Sequence, residues 1–191
     1  ITNSVIDSND SDSEGGGLYF KYGSARLVDV IIKDNHGDGH QNAWGCVNDR
    51  GGGGVIVWNT RMFMDNVQII NNTTYCSGAG ICIIGVPPDH KNVYTNVLVS
   101  NNHADEYAGG IRYNQSNDSY NHFQNVTIVG NESGLDYGGT KCGGNCDNAY
   151  FNNAIIRNNV SSGGGDQNVP NISELNITYS NVQGISAGDT N

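Results

Sequence analysis

The chain has 191 residues, a formal net charge of −10 and only nine Lys and Arg residues. Nucleic-acid binding needs a basic footprint, and the sequence shows none. An apolar run of eighteen residues, long enough to cross a membrane, is also absent. We expect residues 1–191 to form one domain. Because the first repeat begins in mid-pattern at Ile1, without an initiating Met or a signal peptide, the chain is expected to be a processed product or part of something longer.

A glycine-rich phrase recurs along the chain. In order it reads EGGGLYF (14–20), GGGGVIV (51–57), GAGICII (78–84), DEYAGGIRY (105–113) and YGGTKC (137–142), with a weaker SGGGD at 162–166. In four units the residue eight positions before the last glycine is asparagine: Asn9, Asn72, Asn102 and Asn131. An insertion of eleven residues moves Asn35 further from its glycines, and Asn159 stands closer to its own. A period of this length predicts a repeat architecture.

The residues before each asparagine repeat as well. Three positions earlier stand aliphatic residues: Ile6, Ile32, Ile69, Val99, Ile128 and Ile156. Five positions earlier stand Ser4, Val30, Val67, Val97, Val126 and Ala154, and eight positions earlier Ile1, Leu27, Met64, Tyr94, Phe123 and Phe151. Six positions earlier the residue is Asn or Asp: Asn3, Asp29, Asn66, Asn96, Asn125 and Asn153. A seventh, weaker unit places Asn176, Ile177 and Tyr179 in matching columns.

These columns predict an all-β solenoid. Apolar residues two apart, bounded by Asn and Gly, are typical of half-buried strands. The intervals between the asparagines are 26, 37, 30, 29 and 28 residues, and no helical stripe occurs, which excludes helix-based repeats. Stacking such units about 4.8 Å apart gives six to seven coils in which like residues lie over like. We expect the glycines to turn the chain with positive φ and the asparagines to bond from coil to coil.

The columns resemble the right-handed parallel β-helix superfamily that includes pectate lyases and polygalacturonases. More specifically, an asparagine strand followed by Gly-Gly-apolar is similar to the repeats of bacterial polymorphic outer membrane proteins. Their second signature, Phe-x-x-Asn, occurs from Phe63 to Asn66, and in two later units the aromatic residue stands one position nearer to its asparagine. The resemblance implies a right-handed parallel β-helix over nearly the whole chain. It does not by itself imply an activity, because this fold carries many functions.

The catalytic motifs of those enzymes are mostly missing. The chain has no Asp-Asp, Gly-His-Gly or Arg-Ile-Lys sequence, and NTR at 59–61 has Arg where a catalytic acid belongs. A pectate-lyase-type site needs a basic residue facing calcium-binding aspartates, whereas Arg112 and Arg157 lie on different coils without an evident acidic cluster. We therefore expect a non-enzymatic protein.

The insertion at 34–50 is the alternative place for chemistry. Asp34 and Asp38 are a candidate carboxylate pair for a polysaccharide hydrolase or lyase, with His36 or His40 nearby. Histidine and aspartate at these spacings can also hold a divalent metal, and Trp44 can stack on a sugar ring. The competing interpretation is a polar surface loop.

An acidic run at 7–15 raises the question of calcium, the single cofactor considered. Asp10, Asp12 and Glu14 resemble the start of an EF-hand loop, but Lys21 stands where the twelfth-position Glu belongs. A solvated acidic turn is the favoured interpretation.

Asn-x-Ser/Thr sequons point to an extracellular glycoprotein. Ten occur, where chance gives roughly 3.6 for this composition: Asn9, Asn71, Asn72, Asn114, Asn117, Asn125, Asn131, Asn159, Asn171 and Asn176. The alternative is that ladders enrich Asn, Ser and Thr together. A ladder asparagine cannot also carry a glycan, so Asn114, Asn117 and Asn171, which lie between coils, are the preferred sites.

Five cysteines are consistent with an oxidising compartment. Cys142 with Cys146 and Cys76 with Cys82 are candidate disulfides, which leaves Cys46 free or joined to another chain.

The sequence therefore predicts an extracellular or cell-surface structural or adhesive unit of a fibre, filament or coat. Apolar residues also stand in the outward columns, at Val5, Ile31, Leu98 and Ile155. They indicate a covered outer sheet, with inserted loops, self-association or a related β-helix chain as the cover. Covalent N-glycans and a bound polysaccharide are the other partners considered.

Overall fold

A computed structural model describes residues 1–39, 41–42, 45–46, 51–85, 90–114, 120–143, 148–164, 168–169 and 176–184. These residues form an all-β solenoid of about five turns without a helix. They build a large parallel sheet, a narrow parallel corner sheet and a short antiparallel hairpin. The predicted fold class is therefore confirmed at the level of a parallel β-solenoid.

The bounds of the strands follow the repeats. The large sheet contains β1 (Thr2–Asp7), β3 (Leu18–Lys33), β7 (Val55–Ile70), β9 (Ile81–Ile84), β10 (Lys91–Ser100), β12 (Ile111–Asn114), β13 (Tyr120–Gln124), β14 (Thr127–Val129), β16 (Thr140–Cys142), β17 (Ala149–Asn152), β18 (Ile155–Arg157), β20 (Asn176–Thr178) and β21 (Asn181–Val182). The corner sheet contains β2 (Asp10–Ser11), β4 (His36–Gly37), β8 (Thr73–Thr74), β11 (His103–Ala104), β15 (Glu132–Ser133) and β19 (Val160–Ser161). The hairpin is β5 (Gln41–Asn42) with β6 (Gly45–Cys46).

The large sheet bends into three faces. The first face is built by 18–21, 55–58, 81–84, 111–114 and 140–142. The second is built by 24–28, 61–65, 91–95, 120–124, 149–152 and 176–178, and the third by 4–7, 30–33, 67–70, 97–100, 127–129, 155–157 and 181–182. Among the described residues the outermost repeats contribute to only some faces, and the solenoid has about five turns instead of the predicted six to seven.

The predicted apolar columns stack in register inside the solenoid. Ile32 pairs with Ile69, Ile69 with Val99, Val99 with Ile128 and Ile128 with Ile156, and all five are fully buried. The column from the second face places three aromatic rings on one another, with centroid separations of 4.7 Å between Tyr94 and Phe123 and 4.5 Å between Phe123 and Phe151. Offset stacking at such distances adds to the burial of apolar surface in stabilising the core.

Two asparagine ladders run along the stack. The inner ladder consists of the period-defining residues Asn9, Asn35, Asn72, Asn102, Asn131 and Asn159. In each step the backbone N–H and the side-chain amide of one asparagine both donate to Oδ1 of the next, for example from Asn102 to Asn131 at 3.0 and 2.9 Å. Asn168 accepts the last such bonds, from Asn159.

The outer ladder lies at the bend between the second and third faces. Its members have positive φ: Asn3, Asp29, Asn66, Asn96, Asn125 and Asn153. The side-chain amide of Asn125 donates to Asn96 Oδ1 at 3.1 Å, and that of Asn153 donates to Asn125 Oδ1 at 2.8 Å. All six are exposed, so the same residue type serves as a buried bond and as a surface turn.

The glycine phrase serves a purpose that differs in part from the prediction. Positive φ falls two positions before the last glycine of the phrase, where the residue is glycine at Gly78 but alanine at Ala108 and tyrosine at Tyr137. The later glycines are required by contact between coils. A Cβ on Gly80 would lie 2.5 Å from the Gly110 carbonyl oxygen and 2.7 Å from Val99 Cγ1.

Candidate functional site

The outward side of the first face is covered by the chain itself. Ile56, Cys82 and Arg112 stand in the outward column of that face, yet each is buried. The outward column of the third face is open by contrast, with Val5 57% and Ile155 45% exposed. The sequence predicted that apolar outward columns are covered either by inserted loops of the chain or by another protein chain. The outward column of the first face is covered within the chain.

The disulfide prediction for Cys76 was wrong. Cys76 is bonded to Cys46, with their Cα atoms 5.6 Å apart, so Cys46 is not left over. Cys82, the predicted partner, is a buried free thiol whose pKa is raised by burial. The error arises because Cys46 belongs to the insertion, which occurs once and therefore has no counterpart in the repeat pattern. Cys142 is disulfide-bonded, and its predicted partner Cys146 lies outside the described residues.

The described candidates of the insertion, Asp34 and Asp38, contact different residues. Asp34 is an exposed turn residue with φ of 55° that is ion-paired with Lys33 at 3.1 Å. Asp38 instead contacts His36, whose Nε2 lies 3.0 Å from Asp38 Oδ1 and whose Nδ1 lies 2.7 Å from Thr73 Oγ1. His40 and Trp44 lie outside the described residues. The two candidate carboxylates are therefore engaged in separate contacts.

The three calcium candidates differ in their exposure to solvent. Asp10 and Asp12 are exposed, whereas Glu14 is 9% exposed. Across the described part of the chain, no three His, Cys, Asp or Glu side chains are grouped closely enough to hold a metal ion.

Carboxylates line the narrow corner sheet. Its outward column reads Asp10, His36, Thr73, His103 and Glu132 from coil to coil. Two residues further along, the backbone N–H groups of Asp38 and Asp105 donate to Ser11 and Thr74 in the coils before them. His103 repeats the arrangement of His36, with Nε2 3.0 Å from Asp105 Oδ1 and Nδ1 3.5 Å from Glu132 Oε2. We call this surface the acidic ridge, defined by Asp10, Asp12, Asp38, Asp105 and Glu132.

Three positively charged side chains lie on the second face. Arg26, Arg61 and Lys91 are exposed and line one cavity of about 330 Å³ together with Met62, Phe63 and Val93. The Arg26 guanidinium carbon lies 4.7 Å from the centroid of the Phe63 ring, which is cation–π geometry. We call this cavity the basic groove.

The basic groove continues towards later coils. A second cavity of about 200 Å³ shares Lys91 and Val93 with the first and is also lined by His122 and Tyr150. These two rings stack with centroids 4.7 Å apart. Burial, and then the positive charge of Lys91, lower the pKa of His122, as expected where cations concentrate.

Neither surface was predicted from the sequence. Both are built from outward columns, which change residue type from coil to coil and therefore do not repeat as identical residues. Sorting the outward residues by charge instead of identity would have found them, since Arg61 lies beside Ser24 and Lys91 beside Tyr120 in the sheet register.

Burial divides the ten sequons. Asn72, Asn131 and Asn159 belong to the inner ladder and are no more than 1% exposed, so their amides are inaccessible to a glycan in the folded chain. Asn9, Asn71, Asn125 and Asn176 are exposed, and Asn114 is half-buried. Asn117 and Asn171 lie outside the described residues.

No family model matches the chain, and the curated proteins and the solved structures likewise give no match. Within the described residues, no helix is long and apolar enough to cross a membrane.

Proposed function

We propose that this chain is a non-enzymatic extracellular glycoprotein that acts as a structural or adhesive unit of a surface fibre, filament or coat. We further propose that it belongs to the pectin-lyase-like right-handed β-helix superfamily, with repeats of the polymorphic outer membrane protein type. The observation that carries the structural role is the open outward column of the third face. There Val5 and Ile155 remain exposed, and Ile31 and Leu98 are half-buried.

Such a column supports association because apolar side chains recur along it. Val5, Ile31, Leu98 and Ile155 occupy four of its positions, with Gln68 and Thr127 between them. Burying exposed apolar surface contributes roughly 25 cal/mol per Å², and a stripe on a rigid rod is a surface that a second protein can cover. The stack itself is held by two hydrogen-bonded ladders and a stacked aromatic column, which suits a rigid spacer.

The alternative, a polysaccharide hydrolase or lyase acting through the 34–50 insertion, has less support. Asp34 binds Lys33 and Asp38 binds His36, whereas glycoside hydrolysis needs two carboxylates that face one scissile bond. Incubation with a panel of polysaccharides, with and without calcium, tests this directly. New reducing or unsaturated ends would overturn the non-enzymatic proposal.

Sedimentation velocity of the purified chain tests the structural role. We expect concentration-dependent association, reduced when Leu98 and Ile155 are both replaced by Ser. Replacing Val160 by Ser is the matched control, because Val160 is 49% exposed and stands on the corner sheet. A strictly monomeric protein across the accessible concentration range would contradict the proposal.

Glycan mapping tests the compartment and the modification together. After secretion from a eukaryotic cell, we expect mass spectrometry to find glycans at exposed sequons such as Asn71 and Asn125. The buried sequons at Asn72, Asn131 and Asn159 should be empty. A secreted chain without any glycan would remove the glycoprotein part of the proposal.

A further inference from the structure

The basic groove and the acidic ridge occupy the same coils of the solenoid. In the groove, Arg26, Arg61 and Lys91 come from three successive coils, one cation per rung. On the ridge, the carboxylates come from the first, second, fourth and fifth units of the corner sheet, and the third unit carries Thr73 in that column. Rungs of one sheet are spaced about 4.8 Å apart, so both rows of charge share one pitch.

The groove cations are not neutralised within the described part of the chain. No carboxylate there forms an ion pair with Arg26, Arg61 or Lys91. This is notable in a protein with a net charge of −10, of which only nine residues are Lys or Arg. Three of those nine therefore line one cavity, together with apolar groups that displace water from it.

Among the residues that the structure describes, no Lys or Arg forms an ion pair with Asp10, Asp12, Asp105 or Glu132 on the ridge. Within the described residues, the ion-pair partner of Asp105 and of Glu132 is His103, and Asp10 and Asp12 have no ion-pair partner there. The ridge is also narrow, because each strand of the corner sheet has only two residues. A narrow projecting row suits insertion into a concave groove.

We propose that the basic groove receives the acidic ridge of a second copy of this chain, with the two solenoids side by side. This inference rests on the proposed structural function and adds an electrostatic contact to the apolar one proposed for the third face. A neighbour at equal height places the coils of Asp38 and Asp105 opposite those of Arg26 and Lys91, while the coil of Arg61 faces the coil of Thr73. Charge complementarity of this kind fixes register and partner choice.

The contact is heterologous, since the groove of one copy meets the ridge of the next. A heterologous contact leaves a free groove at one side of the pair and a free ridge at the other, so growth continues into a filament or closes into a ring. Association should weaken steeply with added salt, because exposed charges are screened beyond about 8 Å at physiological ionic strength.

A charge-swap experiment tests the pairing. The groove variant carries Arg61→Glu and Lys91→Glu, and the ridge variant carries Asp105→Lys and Glu132→Lys; all four positions are exposed. Each variant alone should associate at least about tenfold more weakly than the wild type in sedimentation velocity at low salt. An equimolar mixture should recover the association, because each groove then faces a ridge of opposite charge.

Lys21→Glu is the matched control, since Lys21 is exposed but lies on the first face, and we expect it to change association little. Circular dichroism verifies that each variant is folded. If a charge reversal disturbs folding, the neutral pair Arg61→Gln and Lys91→Gln replaces it and should still lower the association.

The outcomes separate this inference from the proposed function. A wild type that remains monomeric at all concentrations refutes both. A wild type that associates equally well after charge reversal refutes only the groove–ridge contact. An oligosaccharide of uronic acid that binds the wild type but not the groove variant, with association unchanged, would show that the groove is a glycan site and would overturn the inference.

Discussion

The inner and outer asparagine ladders have the same period and different surroundings. Asn102 in the inner ladder is fully buried, and its amide and carbonyl oxygen bond to both neighbouring coils. Asn125 in the outer ladder makes comparable bonds to the coils on either side, but it is exposed. A hydrogen bond is worth little when water can replace it and much when a partner would be left buried and unsatisfied. Periodicity locates a ladder, and burial determines its contribution.

The largest effect is expected from the inner ladder. Asn102→Ala removes the acceptor of the Asn72 backbone N–H, one of two acceptors of the Asn72 side-chain amide and a donor to the Ile69 carbonyl. Each unsatisfied buried group costs about 1–3 kcal/mol, so we expect a loss of about 4 kcal/mol in the free energy of unfolding. Urea denaturation measures it. The control is Asn101→Gly at the adjacent exposed turn position, and equal losses for the two variants would contradict the role of burial.

The next effect concerns an ionisable group, the phenol of Tyr94 in the buried aromatic column. Burial raises the pKa of the Tyr94 phenol far above its ordinary value of 10.0. The unfolded chain therefore releases this proton above pH 10 while the folded chain retains it, and stability must fall as the pH rises through that range. Denaturation measured between pH 8 and about pH 11 should show this decline. Tyr94→Phe should make it shallower, and an unchanged slope would refute the assignment.

A pair of substitutions in the outer ladder separates its hydrogen bond from its backbone shape. Both Asn125→Gly and Asn125→Ala remove the side-chain bonds, but only alanine is strained at a φ of 53°. We expect a loss of about 1 kcal/mol for alanine and less than about 0.5 kcal/mol for glycine. Thermal and urea denaturation of unglycosylated protein are suitable measurements. A larger loss for glycine would mean that the exposed bond matters more than the turn.

The smallest effect concerns the outward column of the second face. Burial and then Lys91 lower the pKa of His122 below its ordinary value of 6.5. The unfolded chain therefore takes up a proton more readily below pH 6.5, and the stability present at neutral pH is lost as the pH falls. An NMR titration of the His122 ring should give a lowered pKa that rises part of the way towards 6.5 in Lys91→Gln. A pKa insensitive to this substitution would remove Lys91 as a cause.

How far the sequence predicted each feature depends on whether the feature repeats. The inner ladder and the column from Ile32 to Ile156 were predicted residue by residue, because stacking requires the same side chain at the same offset in every coil. The Cys46–Cys76 bond was not predicted, since the insertion occurs once and has no period. The basic groove was missed for a related reason. Arg26, Phe63 and Val93 share an outward column, and outward side chains need not be the same residue in successive coils.

The bond between Cys46 and Cys76 has a consequence for how the chain finds its native order. Stacks of near-identical rungs are prone to alternative pairings in which one layer is skipped and a later layer takes its place. This bond closes 30 residues between the second layer and the third. Once oxidised, those two layers are bound as immediate neighbours, so every misordered stack that separates them is unavailable to the chain.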